Sequence, residues 1–195
     1  MLPLDIALFH AINADAFTLP SVVTAARWIS QQLPIAMGGV LAGCLVVGSP
    51  TQRRELTLAL VSMALAWVGV QLLRYAIAAP RPAQLGIGIQ WVEHAARAGF
   101  PSMHAAGAFA LAASLQASRT TRGLARLGWA AAFAIAWSRV CLGVHFPSDV
   151  LAGMLAGTLS AWAIHALSSA PRWLSWRRRF SAYWSRQALP WARHR

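Results

Sequence analysis

The chain has 195 residues, enough for one domain. Hydrophobic residues make up 57% of it and charged residues 11%, with a mean hydropathy of +0.50; a soluble domain carries about 25% charged residues, so the composition excludes one and reads as an integral membrane protein. The net charge of +12 comes from 17 arginines and no lysine, but most of these arginines fall in segments that one topology places on a single membrane face, which is the positive-inside pattern rather than the basic patch of a nucleic-acid-binding protein.

Residues 1–19 contain Asp5, His10, Asn13 and Asp15 and no Arg or Lys. A cleaved signal peptide begins with positive charge, so this segment predicts a short helix lying at the interface. Residues 21–48 read as the first span. Pro34 lies inside it, and Gly38, Gly39 and Gly43 predict close packing on another helix. Gly48-Ser49-Pro50 ends it, with Arg53 and Arg54 in the following turn. Residues 55–79 form the second span, with Arg74 near its end and Pro80-Arg81-Pro82 beyond. The longest polar connection follows, residues 83–100, holding Glu93, His94 and Arg97. Residues 103–118 make a short Ala-rich third span, thin enough for the bundle centre. Residues 119–126 are a basic turn with Arg119, Arg122 and Arg126. Residues 127–142 and 149–168 form the fourth and fifth spans. Each is near or somewhat below the ~20 residues a span needs.

After Pro171, Trp173, Trp176, Phe180 and Trp184 recur at helical spacing, and Arg172, Arg179, Arg186 and Arg193 recur every seventh residue. This predicts a helix lying on an anionic membrane surface, with a partner-binding helix as the alternative. The expected fold is therefore all-α: a polytopic transmembrane bundle of about five spans with interfacial helices at both ends. Residues 1–170 are the membrane-embedded domain and 171–195 a basic amphipathic cytoplasmic tail. Cys44 and Cys141 fall near opposite faces, too far apart for a disulfide, and read as packing residues.

Five spans with an inner tail put the N-terminus outside. Arg74, Arg81, the 83–100 connection, Ser102, His104, Arg139, His145 and Asp149 then share the outer end, opposite the basic turns. His145 and Asp149 are four residues apart. A helix starting near Pro147 brings the carboxylate to one ring nitrogen and leaves the other free to attack. By itself this stretch leaves a polar loop with an incidental His open. Arg74 and Arg81 are seven apart and share a helix face if the helix persists. Ser102 is suited to N-cap the third span, with the N–H groups of Met103, His104 and Ala105 offered to an anion. Three guanidiniums, a helix N-terminus and two imidazoles describe a phosphate site.

The order Arg74-x6-Arg81-Pro82, Pro101-Ser102-Met103-His104, Ser138-Arg139-x5-His145-x3-Asp149 resembles the three-part signature of the type 2 phosphatidic acid phosphatase superfamily, K-x6-R-P, P-S-G-H and S-R-x5-H-x3-D. The runs His94 to Leu111 and Ser138 to Gly153 are most similar to bacterial undecaprenyl-diphosphatases of the bacitracin-resistance type. Two positions depart from the signature. Arg74 replaces Lys and keeps the charge. Met103 replaces Gly: it keeps the backbone N–H but adds a side chain that would reshape the pocket.

The resemblance implies that His145 attacks the terminal phosphorus of a lipid phosphate or diphosphate and forms a phosphohistidine that water hydrolyses. Asp149 orients His145, and His104 protonates the leaving oxygen. Arg74, Arg81, Ser102, Met103, Ser138 and Arg139 hold the phosphoryl group. The chain has five acids, of which only Glu93 is near and unassigned, so no metal and no cofactor is expected. The expected partners are a lipid phosphate or diphosphate and membrane lipids, with no nucleic acid. The expected place is the bacterial inner membrane with the site facing the periplasm. Spacing leaves open a phosphatidylglycerophosphate or lipid A phosphatase, a lipid phosphotransferase, and, outside enzymes, a lipid-phosphate transporter. Glu93, His94 and Arg97 receive no role.

Overall fold

A computed structural model of the chain describes residues 3–93, 98–118 and 120–169. Among the described residues there are six α-helices and no strand: α1 (Pro3–Ile12), α2 (Pro20–Val47), α3 (Pro50–Ile77), α4 (Met103–Ala117), α5 (Arg122–Cys141) and α6 (Pro147–Ser169), with one 3₁₀ turn at Pro82–Leu85. The all-helical membrane bundle expected from composition is what forms. α2, α3 with the turn after it, and α6 are long and apolar enough to cross a membrane. α4 has 15 residues, fewer than the ~20 a span needs, and α5 carries Arg122, Arg126 and Arg139. Residues Met1–His165 make one compact unit. The amphipathic tail expected after Pro171 lies outside the described residues.

Helix boundaries follow local chemistry that hydropathy does not register. Ser49 caps α3: its hydroxyl accepts from the Gln52 N–H at 3.3 Å, and the Gln52 side chain accepts from the Ser49 N–H at 2.9 Å. Pro50 takes the first helical position, where no N–H is needed. α3 thus begins before the expected residue 55. Arg53 lies on its first turn and turns back on the end of α2, donating to the carbonyls of Gly48 at 2.8 Å and Val46 at 2.6 Å, where a cation offsets the helix dipole. α5 likewise begins at Arg122, so Arg122 and Arg126 sit on a helix and not in the expected turn.

α4 is the centre. It packs against α3 and α5, and Ala105, Ala106, Ala108, Phe109, Ala110, Leu111, Ala112, Ser114 and Leu115 are all buried. α6 approaches it backbone to backbone. A Cβ at Gly153 would meet the carbonyl oxygen of Ser102, and one at Gly157 the carbonyl oxygen of Ala106. The close packing expected at Gly38, Gly39 and Gly43 does not occur, because no heavy atom lies within 4 Å of a Cβ at any of them. Small residues bring helices together where another backbone is opposite, as where α4 faces α6.

α3 ends and α4 begins at the same end of the bundle where α5 ends and α6 begins. Arg53, Arg54, Arg122 and Arg126 lie at the other.

Candidate active site

The turn between α5 and α6 supplies the imidazole. Gly143 has φ +72° and sits where a Cβ would meet the Ile89 carbonyl oxygen, so only glycine fits. The turn then buries Val144, His145 and Phe146, and Pro147 opens α6. Asp149, on the first turn, accepts from the Phe146 N–H at 3.0 Å through Oδ2, and the same oxygen lies 3.4 Å from His145 Nδ1. The carboxylate is fixed by backbone first and then steers the ring. With Nδ1–H directed to Asp149, the lone pair lies on Nε2. Arg81 Nη1 is 3.4 Å from that Nε2.

Arg81 does not extend α3. The helix stops at Ile77, and Ala78 takes a left-handed conformation with φ 42°. The shared helix face expected for Arg74 and Arg81 is therefore lost, but the turn carries Arg81 inward. Its Nη1 also donates to the Val144 carbonyl at 2.7 Å and its Nη2 to the Ala98 carbonyl at 3.4 Å. Gln84 accepts from its backbone N–H at 2.8 Å. Gly99 gives it room: a Cβ there would lie 3.1 Å from Arg81 Cγ and 3.5 Å from Asp149 Oδ2.

Arg74, in the last turn of α3, forks onto one acceptor. Its Nε and Nη2 donate to the Pro101 carbonyl at 3.1 and 2.9 Å. This draws the start of α4 into the site, where the Ser102 N–H donates to the Asp149 carbonyl at 2.9 Å. Ser102 occupies the N-cap position as expected, but its side chain caps no N–H. Its Oγ is buried and, among the described residues, has no hydrogen-bond partner. The backbone takes over the fastening that the sequence assigned to the hydroxyl.

Arg139 is buried on the last turn of α5 with Nη1 bonded to the Ser30 hydroxyl of α2. Its Nε and Nη2 have no partner among the described residues. Unspent guanidinium donors in a buried place are costly unless an anion accepts from them. Arg139 also lies within electrostatic reach of Arg81 and Arg74. Ser138 donates its hydroxyl to the Ile135 carbonyl at 2.7 Å, within its own helix.

His104 joins two adjoining clefts. One, of about 390 Å³, is lined by His104, Arg139, Glu93, Ser30 and Gln31. The other, of about 230 Å³, is lined by His104, Met103, Met63, Met37, Gly38 and Leu41. Met103 therefore lines the apolar cleft, which lies chiefly between α2 and α4. Glu93 stands in the polar one. His94 and Arg97 lie outside the described residues. Among the described residues no group of three or more His, Cys, Asp or Glu converges.

The sequence reading missed Asp5, Asn13, Ser30 and Gly99. A signal existed for two of them: Asp5 is the one acid in a mostly apolar helix, and Ser30 belongs to the half-polar start of α2 with Arg27 and Gln31.

A model of the PAP2 superfamily matches residues 55–173. The chain belongs to the PAP2 superfamily. It is a membrane phosphatase of that superfamily, and several relatives are similar to it. "Putative undecaprenyl-diphosphatase YbjG" of Escherichia coli (strain K12) is 35% identical over 80% of this chain and 78% of the relative. A decaprenylphosphoryl-5-phosphoribose phosphatase of Mycobacterium tuberculosis is 29% identical over 78% of this chain and 84% of its own length. In fold, this PAP2 chain resembles the crystal structure of Aquifex aeolicus LpxE, with a TM-score of 0.69 and 24% identity over 84% of this chain and 95% of that one. It also resembles a PAP2-type phosphatidylglycerolphosphate phosphatase from Bacillus subtilis, with a TM-score of 0.64 and 20% identity over 85% and 84%.

Proposed function

We propose that the chain removes the terminal phosphate of a polyprenyl diphosphate, undecaprenyl diphosphate above all, and so recycles the lipid carrier of cell-wall synthesis. His145 Nε2 attacks the phosphorus and forms a phosphohistidine. Asp149 holds the ring and balances its positive charge. Arg74, Arg81, Arg139 and the Ser102–Met103 end of α4 hold the phosphoryl oxygens, where charge stabilisation carries much of phosphoryl transfer. His104 gives a proton to the leaving oxygen and takes one from the water that releases phosphate.

The observation that carries the lipid class is the continuity of the clefts. The polar cleft at Arg139 shares Pro34 and His104 with the apolar one. The apolar one shares Met37, Leu41 and Leu111 with a third cleft that reaches Cys44, Leu115 and Leu124. From Pro34 to Cys44 this path follows about 15 Å of α2. A single lipid chain can leave the phosphate along it and pass into the bilayer. The names of two relatives, "Putative undecaprenyl-diphosphatase YbjG" and "Decaprenylphosphoryl-5-phosphoribose phosphatase", support a polyprenyl chain.

The position of the arginines supports a site facing the periplasm in the inner membrane. Arg53, Arg54, Arg122 and Arg126 lie at the end opposite the site, which positive-inside sorting keeps in the cytoplasm.

Purified protein is offered undecaprenyl diphosphate, phosphatidylglycerophosphate and lipid A, with released phosphate measured for each in the presence and absence of EDTA. The highest kcat/KM on the polyprenyl diphosphate, unaffected by EDTA, is expected. A tenfold preference for either other lipid overturns the substrate reading, and phosphate appearing on a second lipid instead of in solution identifies a transferase.

A further inference from the structure

Asp5 lies on α1, outside residues 55–173 that match the superfamily model. Its buried carboxylate nevertheless reaches α6. It accepts from the Ser148 N–H at 2.9 Å and from the Ser148 hydroxyl at 2.6 Å. The first N–H groups of a helix have no acceptor within the helix. Asp5 supplies one to α6 and places a negative charge at the positive end of its dipole.

The rest of α1 and the linker after it are fastened to the same corner. Phe9 is fully buried, and its ring centroid lies 5.3 Å from that of Phe146. Asn13 donates to the carbonyls of Ile89 and Cys141, both at 3.0 Å, and accepts from the Ile89 N–H at 2.9 Å. The Ala14 N–H donates to the Cys141 carbonyl at 2.9 Å. Phe146 and Ser148 flank Pro147, and both are contacted from α1. The next residue, Asp149, is the one that holds His145.

We propose that Asp5 is a positioning residue: through Ser148 it fixes the first turn of α6 and thereby the aim of the Asp149 carboxylate at His145 Nδ1. A segment outside the matched family domain thus completes the site. This rests on His145 being the nucleophile.

The test is steady-state kinetics on p-nitrophenyl phosphate with the full-length chain, comparing D5A, D5N, S148A, D149A, D5A/D149A and H145A, each checked for a native melting curve. D5A should lower kcat about tenfold, as small misplacements of a catalytic group do, with KM within about twofold. D5N keeps an acceptor for the Ser148 N–H and should recover most of the rate. S148A, which loses only the hydroxyl bond, should fall between. Adding D5A to D149A should cost less than about twofold, because the carboxylate being aimed is gone. An unchanged kcat in folded D5A, or the same fold-loss with and without Asp149, overturns the proposal. If D5A does not fold, an unchanged kcat in S148A overturns it instead. An active H145A overturns the nucleophile reading and this proposal with it; an inactive H145A beside an unaffected D5A overturns the role of Asp5 alone.

Discussion

Arg81 Nη1 sits 3.4 Å from His145 Nε2, and Asp149 Oδ2 sits 3.4 Å from Nδ1 of the same ring. The imidazole is held between a cation at Nε2 and an anion at Nδ1. In the reaction we propose, a phosphoryl group gripped by Arg81 is delivered beside the Nε2 lone pair. Charge from the guanidinium and nucleophilicity from the ring would then converge on one phosphorus without either group having to move far.

The two arginines of the first motif should respond differently to lysine. Arg81 divides its fork among Val144, Ala98 and His145, a planar spread an ammonium cannot reproduce. Arg81→Lys should lose nearly as much activity as Arg81→Ala, about 10²-fold or more in kcat. Arg74 spends Nε and Nη2 on the single Pro101 carbonyl, an acceptor one ammonium can satisfy. Arg74→Lys should stay within about tenfold of the native rate. Phosphate release from a polyprenyl diphosphate measures both, and equal losses at the two positions would refute the distinction.

Gly38 tests the lipid path. It lines the apolar cleft next to His104, and no heavy atom lies within 4 Å of a Cβ placed there. A side chain can therefore start there without meeting protein at its Cβ, and Leu also favours the helix. It fills the space a lipid chain would use. Gly38→Leu should reduce kcat/KM for a polyprenyl diphosphate about tenfold, the scale of losing a hydrophobic contact. Turnover of p-nitrophenyl phosphate, which has no chain, should fall less than twofold. Equal losses on both substrates would mean the chain leaves by another route.

The orientation can be read at Leu85, which is 46% exposed in the turn beside Arg81. In a chain with Cys44 and Cys141 replaced by Ala, a cysteine at position 85 should react with an impermeant thiol reagent in intact spheroplasts. Labelling that needs lysis would put the site in the cytoplasm.

Much of this arrangement was legible in the sequence, for a physical reason. Apolar runs near span length bounded by Pro, Gly and Arg fix where helices lie, and His145, Asp149 and Arg139 stand out because charge is rare in such a chain. What the sequence concealed depends on what lies opposite each residue. Gly38 and Gly153 look alike in sequence, yet one faces a cleft and the other the Ser102 carbonyl. Ser102 has the right residue type for a cap, but its N–H is taken by Asp149 from another helix and its hydroxyl caps nothing. Asp5 bonds a residue 143 positions away, a separation at which no local pattern survives.

The two histidines differ in what their loss should cost. His145→Ala should lose activity on every substrate, whereas the loss in His104→Ala should depend on the leaving group. Without His145 there is no nucleophile, so no covalent intermediate forms with any substrate. Without His104 the leaving oxygen loses its proton donor. That loss matters most when the leaving group is basic, as with a lipid alkoxide expelled from a monophosphate. It matters less when the leaving group is already acidic, as with p-nitrophenolate or a lipid phosphate expelled from a diphosphate. General acid catalysis requires this ordering, because the help given scales with the basicity of the atom being protonated. His104→Ala should therefore retain measurable turnover of p-nitrophenyl phosphate, while His145→Ala retains none. The same imidazole is assigned as base for the hydrolytic water, so His104→Ala should also accumulate its intermediate. Acid-labile phosphate bound to protein after rapid quench, present in His104→Ala and missing from His145→Ala, would establish both roles. The reverse pattern, with His145→Ala turning over the aryl phosphate and His104→Ala inert, would make His104 the nucleophile. The Asp149–His145–Arg81 alignment would then serve the leaving group instead.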